Sequence, residues 1–169
     1  MTRFPLRRAR LRPGEEHREE VALEVEPFEL GGQRYAAPAQ VVPAVLGITR
    51  ATSGDVFDLS FAVRLHGPCM RCLADAVLEI PVEAREYHAA DPAAPEELRS
   101  DYVVEDQLEL SRWARDAVAL ELPDRILCRP DCAGLCSVCG GDLNARPHEH
   151  EDRVDDPRWA VLAELRDRL

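Results

Sequence analysis

Six cysteines in three tight pairs constrain this chain more than any other feature. They are Cys69-Met70-Arg71-Cys72, Cys128-Arg129-Pro130-Asp131-Cys132 and Cys136-Ser137-Val138-Cys139, the last followed by Gly140-Gly141, with His148-Glu149-His150 just beyond. Zinc takes four soft or borderline donors in a tetrahedron, and a two-residue spacer lets both thiolates of one turn face the same ion. A glycine after the second thiol permits the left-handed turn of such knuckles, from which backbone N–H groups point at sulfur. Cys136-x-x-Cys139-Gly140 has that pattern.

Whether cysteines serve disulfides or metals depends on the compartment. Met1 to Pro13 is rich in arginine but has no apolar core, so it does not read as a secretory signal. The longest apolar runs are a few residues, too short for a membrane helix. We therefore expect a cytoplasmic protein without membrane contact, whose cysteines serve metal or redox chemistry.

Eight donors suffice for two sites. The preferred partition places Cys69, Cys72, Cys128 and Cys132 in one, and Cys136, Cys139, His148 and His150 in the other. It implies one or two structural Zn2+ ions. The rival is a single site of Cys128, Cys132, Cys136 and Cys139, which leaves Cys69 and Cys72 spare, redox-active or simply buried, and the two histidines solvated. A thioredoxin-like role for Cys69 and Cys72 would need a helix N-terminus in a βαβ unit, and the pair instead follows Gly67-Pro68 between two strand patterns. His17, His66 and His88 read as ordinary surface or structural histidines. No catalytic motif is present, the carboxylates single out no pair, and metal sites closed by four protein donors are structural. The chain is not expected to be an enzyme.

Length and apolar content, 169 residues and 46%, fit one folded domain with a small appendage. Strand-like alternation runs from Glu19 to Leu30, with Gly31-Gly32 as a hairpin signal and Gln33 to Ala37 returning. Val41 to Thr49 contains Pro43, which predicts an edge strand or an irregular segment. Val56–Leu65 and Ala76–Tyr87 alternate cleanly and should pair antiparallel through a Gly67–Asp75 connection, with Pro81 placing the second strand at an edge. Residues 88–101 read as an exposed loop. Ser111 to Leu122 has helical spacing, with Trp113, Ala117 and Leu120 on a stripe beside Ala114 and Val118, Ser111 as cap and Pro123 as stop. Asp156-Pro157 opens a last helical stripe of Trp159, Leu162, Leu165 and Leu169. The expected fold class is α+β: an antiparallel β-sheet, two short helices and a Cys/His-rich zinc-binding segment. The expected divisions are a basic arm (1–18), an α+β body (19–127), the Cys/His segment (128–156) and a C-terminal helix packed on the body (157–169).

Acids outnumber bases 32 to 21, for a formal net charge of −11, and every base is arginine. That balance opposes a protein coating nucleic acid along its whole surface. The exception is the N-terminus, where Arg3, Arg7, Arg8, Arg10 and Arg12 precede the first acid, Glu15. This arm reads as a solvated tail or first strand, or as a small contact for RNA phosphate.

Cys69-x-Arg71-Cys72-Leu73 resembles the C-x-R-C-L signature of the YceD family, the large ribosomal RNA subunit accumulation proteins of bacteria and plastids. Cys128 to Asn144 is similar to that family's C-x3-C-x-G-L-C-x2-C-G-x2-L-N block. Asp156-Pro157-Arg158 matches its D-P-R ending, and Arg115 to Pro123 fits the helix before the block. The resemblance runs from about Glu19 to Leu169 and is densest from Leu122 onward. Many relatives carry C-x-C where this chain has His148-x-His150, a replacement that keeps a zinc site with two fewer thiolates. Some members lack the knuckle but keep the first pair, which favours pairing Cys69 and Cys72 with something other than Cys136 and Cys139.

The resemblance implies a role in accumulation of large-subunit (23S) ribosomal RNA and no established catalysis. The expected partner is a ribosomal protein or assembly factor of the large subunit, with Arg71 or the arm arginines touching RNA. A direct RNA-binding zinc module is the alternative, and a zinc or thiol enzyme the third.

Overall fold

The computed structural model describes residues 1–150. Its elements in chain order are β1 (Phe4–Pro5), a 3-10 turn (Leu6–Arg8), β2 (Glu16–Glu24), β3 (Phe28–Leu30), β4 (Gln33–Tyr35), β5 (Val41–Arg50), β6 (Gly54–Pro68), β7 (Asp75–Ala89), a 3-10 turn (Glu96–Leu98), β8 (Val103–Val104), β9 (Gln107–Leu108) and α1 (Leu110–Glu121). The expected C-terminal helix from Pro157 to Leu169 lies outside the described residues.

The main sheet is antiparallel, in the order β2-β5-β6-β7. Alternation decides its two faces. Leu46 and Ile48 of β5, Phe57, Leu59 and Val63 of β6, and Ile80 and Val82 of β7 are all buried on one side. Trp113, Ala114, Ala117 and Val118 of α1 join the same core, while the other face mixes charged residues such as Arg18, Asp58, Glu83 and Arg85 with small apolar ones such as Val45 and Ala62. The β6–β7 hairpin is the longest feature, pairing Gly54 with Ala89 at one end and Pro68 with Asp75 at the other. β3 and β4 form a small hairpin across Gly31-Gly32 and meet β6 through the Ala36–His66 bridge. There Gly67 is required, because a side chain would collide with the buried Tyr35 ring, whose hydroxyl donates to the Pro68 carbonyl at 2.8 Å.

Four expectations change. β5 is an inner strand, not an edge: it pairs with β2 along Val41–Thr49 but with β6 only from Ala44 on, so Pro43 sits where the strand has one neighbour. The apolar run expected as one strand from Glu19 to Leu30 divides at residues 25–27 between β2 and β3. Ser111 does not cap α1; its hydroxyl accepts the Thr2 N–H at 2.7 Å, and Glu109 holds the cap position without a side-chain bond. Leu120 is 86% exposed rather than part of the buried stripe. Pro81 lies on edge strand β7, as expected.

The N-terminal segment docks on the body. β1 joins β9 and β8 in a second small sheet, and Phe4 and Ala9 are buried. Residues 14 and 15 then hydrogen-bond to Arg50 at the end of β5.

Candidate metal centres

The β6–β7 turn carries the first cysteine pair. The Cys69 N–H bonds the Ala74 carbonyl at 2.7 Å, the Leu73 N–H returns to the Cys69 carbonyl at 3.0 Å, and the Arg71 N–H points at Cys69 Sγ at 3.4 Å. The chain around Cys136 repeats this pattern bond for bond. The Cys136 N–H reaches the Gly141 carbonyl at 2.8 Å, the Gly140 N–H the Cys136 carbonyl at 2.9 Å, and the Val138 N–H Cys136 Sγ at 3.4 Å. Both turns close through a left-handed residue, Leu73 (φ 63°) in the first and Gly140 (φ 72°) in the second.

Each knuckle meets a second donor pair. Cys69, Cys72, Cys128 and Cys132 form one cluster and Cys136, Cys139, His148 and His150 another, with all ligand atoms of a cluster within 4.8 Å of one another. Within the first, Cys69 Sγ lies 3.8 Å from Cys132 Sγ, and Cys72 Sγ lies 3.6 Å from Cys128 Sγ. These are the separations that tetrahedral Zn–S bonds of about 2.3 Å require. The alternative grouping of Cys128, Cys132, Cys136 and Cys139 is not a cluster among the described residues. All six cysteines are free thiols.

The first cluster is the deeper, with Cys69 and Cys132 fully buried. It joins the hairpin tip to the irregular segment after α1. The Met70 N–H bonds the Ile126 carbonyl at 2.9 Å, and the Leu135 N–H bonds the Arg71 carbonyl at 3.1 Å. Burial pushes the Cys69 thiol up, but the N–H groups of Arg71, Cys128 and Cys72 outweigh it and bring it to about 6. Cys128 moves the other way, to about 12, through its contact with Cys72 and through burial. One thiolate beside a protonated neighbour is how crowded sulfurs share charge without a cation, and a divalent ion relieves it.

In the second cluster the Arg146 carbonyl accepts from His148 Nδ1 at 2.9 Å, which turns Nε2 toward Cys139 Sγ at 3.1 Å. A backbone carbonyl behind the ring is the usual way a ligating imidazole is oriented. That carbonyl and the Cys139 sulfur raise His148 to about 9, while N–H groups of Cys139 and Val138 lower Cys136 to about 6. The His148 and His150 rings meet edge to face, centroids 5.0 Å apart.

Asn144, which had no assigned role in the sequence, ties the loop that carries the second donor set to the first cluster. Its Nδ2 donates to Cys132 Sγ at 3.5 Å, and its Oδ1 accepts the Ala133 N–H at 2.7 Å and Arg129 Nη2 at 2.9 Å. Its place in the L-N pair after the knuckle was the available signal. Arg71, expected at RNA or a partner, also has a local job, its guanidinium donating to the Ala133 carbonyl at 3.3 Å. Of the arm arginines, Arg3 and Arg8 are held by Glu109 and Glu19, each at 2.9 Å. Arg7, Arg10 and Arg12 have no carboxylate partner among the described residues. No described helix is long and apolar enough to cross a membrane.

The family model described as "Large ribosomal RNA subunit accumulation protein YceD" matches residues 57–166, a shorter stretch than the resemblance read from the motifs. An uncharacterized protein of Mycobacterium tuberculosis is 40% identical over 124 residues, covering 71% of this chain and 59% of its own. Another, of Mycobacterium leprae, is 36% identical over 101 residues, covering 57% and 46%. The "Large ribosomal RNA subunit accumulation protein YCED homolog 1, chloroplastic" of Arabidopsis thaliana is 30% identical over 63 residues, 37% of this chain and 20% of its own. The chain thus spans less than two thirds of the length of these relatives. No solved structure gives a significant match.

Proposed function

Since the chain belongs to the YceD family of large ribosomal RNA subunit accumulation proteins, we propose that it supports accumulation of large-subunit (23S) ribosomal RNA as a non-enzymatic assembly factor. The observation that carries this reading is that all eight clustered donors lie inside the family-matched stretch 57–166. Zinc fits both donor sets, four thiols in one and two thiols with two imidazoles in the other. In each it would supply a structural cross-link: Cys69, Cys72, Cys128 and Cys132 would pin the β6–β7 tip to the segment after α1, and Cys136, Cys139, His148 and His150 would close the loop 136–150. Four protein donors leave no position for a reactive water, so the sites suit scaffolding rather than hydrolysis.

The net charge of −11 favours a basic protein partner, such as a ribosomal protein, over extended contact with RNA. Depletion in cells tests the reading: 23S RNA should fall relative to the small-subunit RNA, and an unchanged ratio refutes it. Affinity capture from the same cells should recover large-subunit proteins, and elemental analysis of the purified chain about two zinc equivalents. Less than about half an equivalent after metal-replete expression refutes the zinc assignment.

A further inference from the structure

At the end of the main sheet opposite the knuckles, the core-facing row breaks the apolar pattern. Arg50 of β5, Asp55 of β6 and His88 of β7 stand side by side in register, where Ile48, Phe57 and Glu86 form the next row. Arg50 Nε lies 2.7 Å from Asp55 Oδ1, yet neither buried atom makes an aligned hydrogen bond. The docked arm does not seal this end. Between them lies a cleft of about 360 Å3, lined by Arg7, Arg10, Arg50 and His88, with Asp55 and Asp106 as the acids. The size falls in the range of small-ligand clefts.

We propose that this cleft binds a phosphate group of an RNA backbone. Arg3 and Arg8, flanking the same 3-10 turn, are neutralised by Glu109 and Glu19. Arg7 and Arg10, which face the cleft, are exposed and have no carboxylate partner among the described residues. Arg7 and Arg10 thus present two unpaired guanidiniums to one concavity, an arrangement that suits an anion. His88 adds a neutral donor: the Ser100 N–H bonds its Nδ1 at 3.2 Å, which puts the ring hydrogen of the neutral form on Nε2. Asp55 is offset by Arg50, leaving Asp106 as the opposing charge. Arg7, Arg10, Arg50 and Asp55 precede the family-matched stretch, whereas His88 and Asp106 lie inside it. That the phosphate belongs to RNA rests on the rRNA reading above.

The test is anisotropy of a labelled single-stranded RNA of about a dozen nucleotides, titrated with the full chain across a salt series. Replacing Arg7 and Arg10 by glutamine should weaken binding about tenfold and flatten the slope of log K against log salt by about 0.7, the share of one phosphate contact on a single strand. Both side chains are exposed, so the fold should survive, and a thermal melt checks that. The matched variant Arg3→Gln with Arg8→Gln removes the same charge away from the cleft and should lose less than about threefold. Asp106→Asn should tighten binding. Equal losses from the two arginine pairs would show a diffuse effect of arm charge and overturn the cleft. An Asp106→Asn variant with unchanged affinity overturns it too. So does a wild-type chain that ignores RNA at low salt, and in that case the rRNA reading still stands or falls on its own depletion measurement.

Discussion

Two knuckles of one backbone design sit in opposite surroundings. The first recruits Cys128 and Cys132 from more than 50 residues away, and the two innermost of its four sulfurs are fully buried. The second finds all its donors within residues 136–150, with Cys139 and His150 exposed. The same local geometry therefore does two jobs. A metal between distant segments removes chain entropy from the unfolded state and binds tertiary structure together, whereas a metal inside a short loop orders only that loop.

The largest effect should come from breaking the first knuckle's long-range closure. Cys132→Ser should release one metal and destabilise the whole body by about 4 kcal/mol or more, read as loss of the main cooperative melt. Cys72→Ser and Cys128→Ser should follow it closely. The counterpart Cys139→Ser should release the other metal and leave the main melt within about 1 kcal/mol of wild type. Equal damage from Cys139→Ser and Cys132→Ser would erase the distinction between the clusters.

A pH series on the metal-stripped chain sharpens the same comparison. His148 is raised to about 9 by the Arg146 carbonyl and Cys139, so its contribution is complete below its unfolded value and disappears as pH rises through 9. Cys136 is lowered to about 6 by backbone N–H groups, so its contribution is complete above the unfolded thiol value and disappears as pH falls through 6. Between about 6 and 9 the two dependences run in opposite directions and nearly cancel, so the stability of the second loop should change little there, with the His148 ring shifts in NMR titrating near the upper limit. A His148 midpoint near that of a free imidazole would mean the Nε2–Cys139 contact does not form.

The smallest effect concerns the left-handed residue. Leu73 takes φ 63° where the second knuckle uses Gly140, and it is 58% exposed, so burial returns little for the strain. Leu73→Gly should leave stability unchanged or raise it by up to about 1 kcal/mol, while Gly140→Leu should lower that of its loop by about 1 kcal/mol. Both follow from thermal and chelator titrations of the zinc-loaded protein. A clear loss in Leu73→Gly would show that this leucine packs into the fold.

The parts legible in the sequence were those whose information is local. Alternation in Val56–Leu65 and Ala76–Tyr87 gave the hairpin, and the spacing of Cys136, Cys139 and the histidines gave a loop that closes on itself. Pro43 misled because proline excludes pairing on one side only, and register alone says which side has a neighbour. Ser111 misled because a cap and a long-range acceptor look identical in sequence; Thr2 was the unseen partner. The Arg50–Asp55–His88 row was invisible for the same reason, since three residues spread over 39 positions become neighbours only when register is known. Leu73 carried no sign of its left-handed conformation, which glycine would have advertised.

The β6–β7 hairpin also sets a distance. Asp55 and His88 mark one end and Cys69 and Cys72 follow the other, and a strand rising about 3.3 Å per residue puts some 40 Å between them. A stiff antiparallel ribbon holds that span, so whatever engages the arginine cleft and whatever touches the knuckle tip are kept at a fixed separation. The hairpin acts as a caliper: two weak contacts spaced to its length reinforce each other through effective concentration, and the same contacts spaced otherwise do not.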